Sequence, residues 1–321
     1  MRYPLLRSSL LFILLASSPA MAGAQVGPAP DGESFSVTTD SVPAAQIVGE
    51  VWRVPPGVTP RGTLFMCHGF ARSMWDTRDY RWIAEREHWN VVRFDFREHG
   101  ASSHRAMDVP TLGYHEIWDL KAVIDHAEQN GLAHPYACYG HSMGAAIALR
   151  WAGTDRRIVG VLAQSPFRNA LDATGKFRRD DARVQIATAL LLRKGMRGML
   201  EQVDIPAAVA LRDDLRVWLT AGEHDYFDET DQRAILSASR SPDELKRLVI
   251  IPGGYHGDHW RWAGNDPLIR EFIDDVSPRS VAFASPHARR ASRIVPAVAV
   301  VASGVAGVGY FFLRRYRRSA A

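Results

Sequence analysis

Tyr139-Gly140-His141-Ser142-Met143-Gly144 is the stretch from which the chain is best read. Before it, Pro135-Tyr136-Ala137-Cys138 is a short apolar strand. After it, Ala145-Ala146-Ile147-Ala148-Leu149-Arg150-Trp151 is a good start for a helix. Gly140-x-Ser142-x-Gly144 therefore falls at a strand-to-helix turn, the setting in which a serine is thrust out of a tight, strained bend. Glycine is needed two residues to either side because a side chain there would collide with neighbouring backbone. The positive end of the helix lies beneath the serine and favours a developing oxyanion. A plain Gly-rich turn has a similar composition, but a strand before it and a helix after it favour a nucleophile.

The 321 residues are 46% hydrophobic and 23% charged, which suits one α/β domain of about 250 residues with extra segments at its ends. The formal charge of +4 misleads. Ten arginines lie in the flanks, at positions 2, 7, 279, 289, 290, 293, 314, 315, 317 and 318, and no acid accompanies them there. What remains between the flanks is net acidic, so a nucleic-acid partner is not expected. The basicity belongs to the borders of apolar segments. The two cysteines, Cys67 and Cys138, form no metal-spaced cluster and read as buried small hydrophobes.

Residues 1–22 read as a secretory signal, with Arg2 and Arg7 before the apolar run 10–16 and a small-x-small end at Ala20-Met21-Ala22. Residues 23–33 form a linker. Residues 279–293 are a basic linker, and 294–313 run twenty residues without a charge, long enough to cross a bilayer as a helix. Both flanks of this run are basic, so the signal decides the topology: residues 34–278 form an extracytoplasmic domain held at the membrane, and the basic tail 314–321 lies on the cytoplasmic side.

Within that domain strands and helices alternate, as a mainly parallel sheet covered on both faces requires. Strands are expected at 35–39, 47–54, 62–67, 91–96, 135–138, 158–163, 215–220 and 245–251. Helices are expected at 79–88, 113–129 and 268–276 and after the elbow. Residues 168–211 break the rhythm and read as an inserted helical cap. Three loops carry further chemistry: His68-Gly69-Phe70, Gly222-Glu223-His224-Asp225 and Gly254-Tyr255-His256.

These blocks, with Phe94-Asp95-Phe96-Arg97-Glu98-His99-Gly100-Ala101-Ser102, resemble the α/β-hydrolase family, in the branch of serine aminopeptidase-like and monoacylglycerol-lipase-like members. They occur in the family's order from about Ser34 to Val276; Glu98 departs from the more usual Gly-His-Gly. The resemblance implies an α/β-hydrolase fold and a triad in the order Ser142, Asp225, His256. It also places an oxyanion hole at the backbone N–H groups of Phe70 and Met143. Asp228 and Glu223 remain rivals of Asp225, and His259 of His256. His68 and His141 read as packed turn residues, and His99, His104 and His115 as surface. The pair His256-x-x-His259 lacks a third ligand, so neither metal nor cofactor is expected. The expected substrate is a small-molecule or lipid ester. The alternatives are acyl transfer or aminopeptidase chemistry by the same residues, or a silent binding module.

Overall fold

The computed structural model describes residues 32–104, 109–176, 189–190, 192 and 195–277. The signal, the C-terminal apolar segment and both basic flanks lie outside them. Among the described residues no helix is long and apolar enough to cross a membrane.

In chain order the elements are β1 (Glu33–Thr38), β2 (Gln46–Trp52) and β3 (Thr63–Cys67), then a 3-10 turn (Met74–Tyr80), α1 (Trp82–Arg86) and β4 (Asn90–Phe94). They continue with α2 (Ile117–Gln129), β5 (Tyr136–His141), α3 (Met143–Ala152) and β6 (Ile158–Gln164). The inserted region holds α4 (Ala170–Lys176), α5 (Arg197–Glu201) and α6 (Ile205–Val209). The chain then returns through β7 (Arg216–Gly222), α7 (Glu229–Ala238), β8 (Lys246–Ile251) and α8 (Asn265–Val276).

The strands form one eight-stranded sheet in the order β1-β2-β4-β3-β5-β6-β7-β8. The β1–β2 and β2–β4 pairs are antiparallel, and every pair from β4 onward is parallel. Because β3 and β4 are buried along their whole length, both faces must be covered, and alternate side chains feed two separate cores. Phe65 and Cys67 point to the core that holds Leu120, Val123, Ile147 and Phe227. Leu64 and Met66 point to the core that holds Ile83, Trp89, Ile269 and Phe272. Helix α3 is buried on nearly every side, which its run of alanines permits.

Three elements differ from the sequence reading. The helix expected over 79–88 is the 3-10 turn followed by α1, because Ser73 Oγ caps Trp75 N–H and the Thr77 hydroxyl donates to Met74 O, which tightens the turn. The helix expected from residue 113 begins at Ile117. The Glu116 carboxylate accepts from the N–H groups of Thr111 and Gly113 and from the Thr111 hydroxyl, and so holds a loop where the helix would have started. Helix α7 had no counterpart in the sequence reading; Asp228 caps it by accepting from Thr230 and Asp231 N–H. Among the described residues of the cap region, three basic side chains are paired with acids: Lys176 Nζ lies 2.5 Å from Asp231 Oδ2, Arg168 Nη2 3.1 Å from Asp172 Oδ2 and Arg197 Nε 2.9 Å from Glu201 Oε1.

The loop after β4 is fastened to α2 by a buried ion pair. Arg97 places Nη2 2.6 Å and Nε 2.8 Å from Asp119 Oδ1, and its own N–H donates to Oδ2 at 2.9 Å. Removing one partner strands the other charge in the interior. Asp119→Ala is expected to lower unfolding stability by about 3–5 kcal/mol in urea titrations. A loss below about 1 kcal/mol would show that the loop does not depend on this pair.

Candidate active site

Ser142 joins β5 to α3 with φ 51° and ψ −114°, a left-handed conformation that a non-glycine residue adopts only at a cost. The bend survives because its neighbours leave room. A Cβ on Gly144 would come within 2.2 Å of Cys67 O, and one on Gly140 within 2.7 Å of Ala145 N. The Ser142 N–H donates to Gln164 O at 2.8 Å, which ties the elbow to the end of β6. Met143 is the first residue of α3, so its N–H is among the four at the helix start with no intrahelical partner.

The other two loops leave neighbouring strands, β7 and β8, and are bonded to each other. Glu223 N–H donates to Ile251 O at 3.0 Å and His224 N–H to Gly254 O at 2.8 Å. This brings Asp225 and His256 together beside the elbow. His256 Nδ1–H donates to Asp225 Oδ1 at 2.9 Å, and His256 Nε2 lies 3.0 Å from Ser142 Oγ. Asp225 Oδ1 also accepts from Phe227 N–H at 2.9 Å, which fixes the carboxylate. The Tyr226 ring stacks on His256 at 4.2 Å and Phe227 meets it edge-on at 5.4 Å. The Asp225 side chain is fully buried, while His256 keeps 15% of its side chain exposed. With Nδ1 carrying the proton, the Nε2 lone pair faces the serine, the arrangement in which imidazole takes a hydroxyl proton.

The rivals are occupied elsewhere. Glu223 accepts from Gly253 N–H at 2.8 Å and braces the histidine loop, and Asp228 caps α7. His259 is buried against His141 with ring centroids 4.5 Å apart, and burial pushes its pKa down to about 3. His141 is likewise held well below the ordinary value by burial. Among the described residues no group of His, Cys, Asp or Glu could hold a metal ion. Cys67 and Cys138 are buried free thiols on adjacent strands.

Phe70 follows His68 and Gly69 at the end of β3. His68 Nδ1–H donates to Gly69 O at 2.8 Å, and its Nε2 accepts from Phe96 N–H at 3.0 Å. Because the peptide is planar, anchoring the Gly69 carbonyl sets the direction of the Phe70 N–H. His99, expected at the surface, is instead 4% exposed and sits behind this loop. Its Nε2 accepts from Ala71 N–H at 3.2 Å and its Nδ1–H donates to Arg97 O at 2.8 Å. His104 is exposed as expected, and His115 is half-buried. The sequence reading also missed Gln164, whose part is played by a backbone carbonyl and leaves no mark in side-chain chemistry.

Fold and site together define a serine hydrolase built on the α/β-hydrolase fold. A family model described as "Serine aminopeptidase, S33" matches residues 58–177. The chain is 31% identical over 241 residues to the uncharacterized protein YqkD of Bacillus subtilis, an alignment that covers 70% of this chain and 75% of that one. The chain therefore belongs to the S33 serine aminopeptidase-like family of α/β hydrolases. It is also 31% identical over 103 residues to the putative esterase slr0264 of Synechocystis, which covers 31% of this chain and only 28% of that relative's length. The esterase Pf2001 of Pyrococcus furiosus superposes with a TM-score of 0.60 at 20% identity, over 77% of this chain and 91% of that one, a likeness of fold.

The buried neutral histidines make the protein sensitive to acid. A histidine near 3 when folded and near 6.5 when unfolded binds its proton only on unfolding, so stability falls as pH drops between those values. His259→Leu is expected to reduce the slope of unfolding free energy against pH, between pH 6 and 4, by about 1.4 kcal/mol per unit. Parallel slopes for wild type and variant would place the His259 proton elsewhere.

Proposed function

We propose that the protein is a serine esterase in which Ser142 is the nucleophile, His256 the general base and Asp225 the residue that orients and balances the imidazole. The reading is carried by one observation: the hydrogen-bonded chain Asp225–His256–Ser142, ending on a serine held in a strained elbow. Ser142 Oγ attacks the ester carbonyl carbon while its proton passes to His256 Nε2. The carbonyl oxygen gains negative charge, which the N–H groups of Met143 and Phe70 stabilise. Collapse of the tetrahedral species breaks the bond to the alcohol, which leaves with the proton from His256. Water then repeats the sequence on the acyl-enzyme and releases the acid.

An ester fits better than an aminoacyl amide. A substrate with a free α-ammonium group is met best by a carboxylate. Here the carboxylate of the hydrogen-bonded chain, Asp225, is already engaged by His256 and by the Phe227 N–H. The putative esterase name of the Synechocystis relative points the same way. The domain also acts outside the cytoplasm, anchored by 294–313 and processed after residue 22, which the sequence pattern of both ends supports, and an anchored domain is placed to meet lipid-like esters.

The test is turnover of p-nitrophenyl esters and aminoacyl p-nitroanilides by the purified 34–278 domain and its variants. Ester cleavage should dominate, and Ser142→Ala should lower kcat by roughly 10⁴- to 10⁶-fold. His256→Ala should lose about as much, while His259→Ala should retain most activity. A fluorophosphonate should label wild type and not Ser142→Ala; labelling that persists would overturn the assignment.

A further inference from the structure

We propose that His99 is a positioning residue for the oxyanion hole: its Nε2, by accepting the Ala71 N–H, fixes the Phe70–Ala71 peptide and so restrains the Phe70 backbone from the side that His68 does not hold. The inference rests on the ester-hydrolysis reading above and on Phe70 as a donor in it.

The peptide planes on either side of Phe70 are each held by a different buried imidazole. His68 holds the plane before it through the Gly69 carbonyl, and His99 holds the plane after it through the Ala71 N–H. The second plane needs holding. Ala71 has φ 55°, a left-handed value that an alanine leaves unless something retains it. His99 is itself rigid. Its Nδ1–H is committed to Arg97 O at 2.8 Å, so Nε2 carries the lone pair. The ring meets His68 edge-on at 5.0 Å and Phe70 at 6.1 Å. Arg97 in turn is locked to Asp119. Burial keeps the imidazole neutral at ordinary pH, with a pKa pushed down to about 4, so the acceptor is present throughout the working range.

A second side chain from the same loop holds the same segment further along. Asp95 Oδ1 accepts from Met74 N–H at 2.6 Å while its Oδ2 accepts from Ala101 N–H at 2.7 Å. The segment after β3 thus hangs from the loop after β4 at two points, Ala71 and Met74. His99 is the nearer of the two to the oxyanion donor. It lies outside the triad and is buried behind the loop, so its effect passes through the Phe70–Ala71 peptide.

Two substitutions separate the acceptor from the donor. In His99→Gln the Oε1 replaces Nε2 as acceptor for Ala71 N–H and the donor to Arg97 O is lost. In His99→Asn the Nδ2 keeps the donor to Arg97 O and the acceptor is lost. Turnover of a p-nitrophenyl ester should fall about 10- to 100-fold in kcat for His99→Asn, less than the loss of a whole oxyanion donor, with KM within about twofold. Inhibition by a phenylboronic acid, which forms a tetrahedral adduct on the serine, should weaken by a similar factor. His99→Gln should keep kcat within about threefold of wild type. Equal losses in both variants, or a loss carried by KM, would overturn the role of His99. Should His99→Asn fail to fold, His99→Gln decides alone, since a tenfold drop in its kcat refutes the proposal. A wild-type enzyme inert toward esters overturns the ester reading first, and with it the basis of this inference.

Discussion

Everything in this site depends on one backbone conformation, the left-handed turn at Ser142. It is unfavourable in isolation, and the fold holds it by geometry on both sides. β5 cannot end elsewhere, because Ser142 N–H is taken by Gln164 O on the neighbouring strand. α3 cannot begin elsewhere, because Gly144 fits against the Cys67 and His68 carbonyls with no space for a side chain. The strain thereby serves to expose an oxygen that would otherwise lie along the strand. It also sets the start of a helix, with its positive end, directly after the serine.

Beneath the elbow lies a closed ring of buried polar groups. Asn265 Nδ2 donates to Tyr80 O–H, Tyr80 O–H to Tyr139 O–H, Tyr139 O–H to Gln164 Oε1, and Gln164 Nε2 back to Asn265 Oδ1, at 3.0, 2.9, 2.6 and 2.6 Å. Each bond aligns its neighbours, so the ring is stiffer than four separate pairs. It joins the 3-10 turn, β5, β6 and α8, and one of its members, Gln164, offers the carbonyl that holds Ser142. The rigidity of the elbow is therefore drawn from four elements distant in sequence. An apolar substitution at any one of them would leave a buried partner unsatisfied.

How much of this the sequence reveals follows from where each constraint is recorded. The glycines at 140 and 144 record a steric demand at the position where it acts, so the elbow can be read from six residues. The alternation of strands and helices records two-sided burial, and the parallel part of the sheet follows from it. Helix α7 escapes because its apolar residues are few, and because Asp231 and Gln232 are buried in place of aliphatic side chains. His99 escapes for a related reason. Arg97-Glu98-His99 looks like a solvated loop until Arg97 meets Asp119 on α2, a contact that no local pattern announces. The part proposed for the loop at Phe70 is legible only through resemblance, since its chemistry belongs to backbone N–H groups common to every residue type.

The five histidines gathered here differ in the one respect that the proposed chemistry needs. His68 and His99 each have one ring nitrogen donating to a carbonyl and the other accepting a backbone N–H, so neither has a lone pair to offer a substrate. His141 and His259 each leave one nitrogen buried and without a partner among the described residues, and neither is bonded to a carboxylate that would balance a positive charge. A proton taken up there would sit uncompensated in the interior, which is the physical content of their lowered pKa values. His256 differs on each count. It is partly exposed, its Nδ1–H is bonded to a buried carboxylate, and its remaining lone pair faces a hydroxyl. A base must be able to become an acid and back again within one turnover. Of these five rings, His256 is the one bonded on one side to a carboxylate and on the other to a hydroxyl, as the proposed base requires.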